Sequence, residues 1–118
     1  MPAAPTVRPE KSTVLREHQS VIAAPRSAVL AALAAAVDPG PESSFAVDDA
    51  AGLVVVQGGW WYRAEYRVID DPAGCRVTFT LVNVASPAHW AGPITGRAAI
   101  ASSARDFGDV ISRVRAAL

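Results

Sequence analysis

Chemistry in this chain would have to come from a short set of side chains. Tyr62, Tyr66 and His18 could each serve as a general acid or base, a role that needs one well-placed group and leaves almost no motif. The nucleophile candidates lack helpers. Ser102 and Ser103 have no elbow sequence around them, and Cys75 opens an apolar run with no activating base beside it. Asp48-Asp49 and Asp70-Asp71 fall in turn sequences, where carboxylates belong anyway. No catalytic residue, cofactor motif or metal-ligand spacing stands out, and the chain reads as non-enzymatic by a narrow margin. His89 and Trp90 sit in the Pro- and Gly-flanked loop SPAHWAG, either at the entrance to a cavity or on ordinary surface.

Composition narrows the classes of partner. The 118 residues have room for one core, and the 51% hydrophobic content with mean hydropathy +0.22 marks a globular chain. Eleven basic and eleven acidic side chains cancel, leaving no electrostatic footprint for nucleic acid or an anionic membrane surface. The lone Cys75 offers no internal disulfide and fits a reducing cytoplasm. The apolar run from Val21 to Val37 is broken by Pro25 and Arg26, well short of the ~20 residues a spanning helix requires, so no membrane insertion is expected. The opening MPAAPTVRPEK lacks the pattern of a signal peptide and reads as a flexible tail over residues 1–11, ahead of a single domain over 12–118.

Positioning of the candidate groups rests on the segment LVVVQGGWWYRAEYRVIDDPAGCRVTFTLVNV, residues 53–84. Gly58-Gly59 and Asp70-Asp71-Pro72-Ala73-Gly74 are turn sequences, so the segment predicts a three-stranded antiparallel meander. In its middle strand Trp60, Tyr62, Ala64, Tyr66 and Val68 share one face, and Trp61, Arg63, Glu65, Arg67 and Ile69 the other. Val77, Phe79 and Leu81 extend the apolar face into the third strand. A sheet with one apolar face needs a cover. Upstream, residues 12–22 read as a strand, RSAVLAALAAAV as a helix opened by Pro25, and Phe45 to Asp48 as a short strand. Downstream, Ile94, Ala98, Ala101, Ala104, Gly108, Ile111, Val114 and Leu118 trace a helical stripe with Phe107 and Val110 on its shoulder. They predict one helix from about Pro93 to Leu118, or a loop to about Ser102 and helix from Ser103.

This order of elements, with Val21-Ile22-Ala23-Ala24-Pro25 leading into a helix carrying Val29 and Leu33, resembles the START-related, polyketide cyclase-like (SRPBCC) superfamily. Birch-pollen allergen relatives, polyketide cyclases and lipid-transfer domains belong to it. The resemblance implies an α+β helix-grip fold, an antiparallel sheet gripping a long C-terminal helix, with a short helix after the first strand. With five strands and little room between Asp38 and Ser44 for a second short helix, the chain would be a short member with a smaller or more open cavity. The implied function is binding of a small hydrophobic or aromatic ligand, lipid or polyketide-like, between sheet and helix. Trp60, Tyr62, Tyr66, Val77, Phe79 and Leu81 would line the cavity, Phe107, Ile111 and Val114 would form its lid, and Trp90 would stand at its mouth. If Ile22 packs inward as in the superfamily, His18 turns inward with it and could meet a ligand carbonyl or carboxylate; the plainer meaning is an edge strand reaching solvent. Core packing is likewise the commoner meaning of the aromatic set. Two rival readings stay open: a polyketide cyclase- or dehydratase-like enzyme, and a homodimer or partner surface marked by Trp61 and Ile69.

Overall fold

In a computed structural model that describes residues 3–118, the predicted meander is the centre of a five-stranded antiparallel sheet. The elements run β1 (Thr13–Ile22), α1 (Arg26–Ala36), β2 (Ser43–Asp48), β3 (Leu53–Gly58), β4 (Tyr62–Asp71), β5 (Gly74–Asn83), a 3-10 turn (His89–Ala91), α2 (Gly92–Thr95) and α3 (Arg97–Ala117). The strand order is β1-β5-β4-β3-β2, so the first strand pairs with the last and β2 forms the opposite edge. α1 and α3 cover one face. The arrangement is the helix-grip architecture: a sheet wrapped on a long C-terminal helix, with a short helix after the first strand.

Strand alternation decides what is buried. Val54 and Val56 of β3, Ala64, Tyr66 and Val68 of β4, and Cys75, Val77, Phe79 and Leu81 of β5 all face the helices. Against them pack Val29, Leu30, Leu33 and Val37 from α1 and its end, and Phe107, Val110, Ile111 and Val114 from α3. Burial of each such side chain contributes roughly 1.5–3 kcal/mol, so this interface dominates the stability of the fold.

The outer face departs from a simple charged surface. β3 is apolar on both sides, and its outward Leu53 and Val55 are covered by Ala4, itself 5% exposed. Residues expected in a flexible tail thus lie on the sheet. The Ala4 amide donates to the Phe45 carbonyl at 3.3 Å, and the Pro5 carbonyl accepts from Arg63 Nη1 at 2.7 Å. Under this strap Arg63 is wholly buried, its Nε donating to Glu65 at 2.7 Å. Arg8 grips the same carboxylate from above, with contacts of 2.8 and 2.9 Å.

Two sequence expectations are corrected. The middle strand begins at Tyr62, not Trp60, because the hairpin spends Gly59, Trp60 and Trp61 on its turn, with Gly59 at φ 58°. The C-terminal helix is also broken and rotated. It is interrupted at Gly96, where a Cβ would collide with the Trp61 ring. Beyond that break α3 buries Ser103, Phe107, Val110, Ile111 and Val114, while Ala101, Ala104 and Gly108 face solvent. The bulkier side chains set the face, since a methyl group gains too little by burial to compete.

Candidate functional site

An opening of about 300 Å³ lies where the end of α1, the start of β2 and the middle of α3 fail to close over the sheet. Its floor is Val56, Tyr62 and Tyr66, its ceiling Val110, and its rim Val37, Asp38, Pro39, Ser43 and Arg113. Alternation along β4 places the two tyrosines on the helix side four residues apart, and the spacing of Val110 and Arg113 puts both on the adjoining flank of α3.

The tyrosines are the chemically distinctive part. Tyr66 is 6% exposed and packs its ring on Phe79 at 5.1 Å between centroids, while Trp61 meets Tyr62 edge-on at 5.4 Å. Neither hydroxyl has a hydrogen-bond partner among the described residues, and both phenols wall the opening. Burial pushes the Tyr62 phenol above its ordinary range, and the Asp106 carboxylate adds to the effect. Burial does the same to Tyr66, reinforced by Tyr62 and Asp106 and opposed by Arg113. Both are therefore protonated O–H donors at neutral pH.

The charged groups around the opening differ in how far they are already engaged. Asp38 accepts from the Gly40 amide at 3.1 Å, and Asp106 accepts from the Ser102 hydroxyl at 2.7 Å. Among the described residues Arg113 holds only the Ala36 carbonyl, at 3.4 Å.

The other sequence-predicted site residues lie elsewhere. Val77, Phe79, Leu81, Phe107, Ile111 and Val114 are buried and packed against one another, and they fill the space beneath α3 where the resemblance placed the cavity. His18 does face the helices, but its Nε2 lies 2.9 Å from Ser103 Oγ and its ring stacks between Phe79 and Phe107. Trp60 stands outside, 37% exposed, its indole N–H donating to the Pro87 carbonyl at 3.0 Å; Trp61, expected on the far face, tucks beneath Gly96. Trp90 is 74% exposed, while its neighbour His89 bonds Thr13 and the Ala85 carbonyl. Val37, Val56, Val110 and Arg113 were missed as site residues. Only the helical period of Val110 hinted at its place, since the others reach the opening from different elements.

Cys75 is fully buried, and burial, with Asp70 and Asp71, raises its thiol, so it behaves as a small apolar side chain. Among the described residues no group of three or more His, Cys, Asp or Glu could hold a metal ion, and no helix is long and apolar enough to cross a membrane. Further hollows lie on the outer face across β1 and β5, lined by Glu17, Gln19, Thr78 and Thr80, and at the β2 edge beside Glu42, Ser43 and Gln57. Both lie away from the two phenols. The chain matches no protein-family model, no curated protein and no solved structure.

Proposed function

We propose that this protein binds a small apolar or aromatic molecule in the opening between sheet and helices, with Tyr62 and Tyr66 as its floor. The supporting observation is that this opening interrupts an otherwise packed interface and sets two aromatic rings, Val37, Val56 and Val110 beside polar groups from Asp38, Ser43 and Arg113. That composition suits recognition of a small ligand by an apolar body and a few orienting hydrogen bonds. The volume, about 300 Å³, is at the low end for such sites and favours a single-ring compound over a long-chain lipid. The lone buried thiol fits residence in the cytoplasm.

A cyclase-like activity has less behind it. The tyrosines are protonated, and His18, the other candidate acid or base, is engaged with Ser103. The partner-surface reading keeps only Ile69, because Trp61 is packed against α3.

The test is a titration of the isotope-labelled protein with small aromatic compounds, followed by amide shifts. Saturable shifts clustered at Val56, Tyr62, Tyr66 and Val110 are expected, and Val110→Phe, which fills the opening, should abolish them while the protein stays folded. Absence of saturable shifts across a panel of single-ring compounds would overturn the proposal.

A further inference from the structure

We infer that the occupant of this opening carries a carboxylate on its small apolar body, read by Arg113 at the rim and by the hydroxyls of Tyr62 and Tyr66 on the floor. The inference rests on the binding reading above and specifies the ligand class.

The argument is one of unused hydrogen-bonding capacity. Asp38 at the rim and Asp106 beyond it each accept one hydrogen bond, from Gly40 and Ser102, and keep further acceptor sites. Against them, Arg113 has five N–H donors and a single 3.4 Å contact to Ala36, and the two phenols have no partner among the described residues. The largest set of unused donors facing the space is therefore Arg113 with the two phenols. A ligand acceptor satisfies them, whereas an amine would meet Arg113 as a like charge. Among acceptors a carboxylate suits best, because a guanidinium binds it through paired N–H···O contacts. The apolar walls select the rest of the molecule. Val56 from the sheet and Val110 from α3 line the space with the tyrosine rings, leaving room for about one ring.

Three probes of matched shape separate the possibilities: phenylacetate, neutral phenylacetamide and cationic phenethylamine, each titrated at neutral pH and fixed ionic strength with dissociation constants read from amide shifts. Phenylacetate should bind roughly tenfold or more tightly than the amide, and the amine most weakly. Arg113→Gln, on an exposed position, should erase the margin between acid and amide. Tyr62→Phe should weaken the acid by a smaller factor. Equal binding of all three probes, or tightest binding of the amine, overturns the carboxylate inference and leaves the cavity reading intact. A preference for the acid that survives Arg113→Gln also overturns the assignment. No saturable binding by any probe removes both.

Discussion

His18 on β1 and Ser103 on α3 are joined by a 2.9 Å hydrogen bond beneath the helix, with the imidazole stacked between Phe79 and Phe107. The contact explains why a serine occupies the buried face of α3, since its hydroxyl has a partner there. It also removes the imidazole from the candidate site. Ser103→Ala should cost about 1 kcal/mol by stranding a half-buried ring nitrogen, and His18→Ala more, through lost stacking. In a double-mutant cycle by urea unfolding, the pair should show a coupling of roughly 0.5 kcal/mol or more. Strict additivity would mean that the bond contributes nothing.

Acid should weaken the outer face through Glu65. Burial by itself would raise its carboxyl, but hydrogen bonds from Arg8 and Arg63 outweigh that and hold it below the ordinary glutamate value. A depressed carboxyl contributes its stability fully above the unfolded-state pKa, about 4.5, and loses it as pH falls through the lower folded value. Glu65→Gln should flatten the acid limb of the stability profile. At neutral pH it should cost about 3 kcal/mol, because it leaves the Arg63 charge buried without its partner. Arg8→Ala, on a side chain 41% exposed, should cost about 1 kcal/mol or less. An unchanged acid limb in the Glu65 variant would contradict the assignment.

The alkaline limb belongs to the tyrosines. The chain has two, and both ionise above the ordinary value of about 10, so the fold favours their neutral form. Their contribution is intact below that pH and is lost as pH rises toward the folded values. Phenolate absorbance of the native protein should therefore lag behind that of the urea-unfolded chain, and Tyr66→Phe should reduce the loss of stability in alkali. Coincident native and unfolded titrations would show that the two rings are not walled in as described.

Adjacent residues of β4 test the two faces. Tyr66, buried against Phe79, should cost on the order of 3 kcal/mol when replaced by Ala. Arg67 is exposed, with one 3.5 Å contact to the Ala51 carbonyl, and Arg67→Ala should cost less than about 1 kcal/mol. Urea midpoints of the two variants decide it; equal losses would contradict the face assignment.

The period-two alternation from Tyr62 to Val68 and from Cys75 to Leu81 was legible in the sequence, as were the turn at Pro72-Ala73 and the helix carrying Val29, Leu30 and Leu33. These patterns are local, because neighbouring side chains on one strand or helix take their directions from the backbone period alone. The helix-grip fold was what the resemblance of their order to the START-related superfamily implied. What the sequence left open were matters of volume and long-range partnership. Whether Trp60 or Trp61 turned inward depended on Gly96, which lies far along the chain and leaves space for one indole ring. Which flank of α3 faced the sheet was set by the burial of Phe107, Val110, Ile111 and Val114 against the assembled sheet, with His18 there to receive Ser103. The strap over Arg63 and Glu65 needed residues 4–8 to meet a sheet face assembled from the middle of the chain. The opening at Tyr62 and Tyr66 is the remainder after those fits. Its walls come from α1, β2, β3, β4 and α3, and a space bounded by five elements exists only once their side chains have packed.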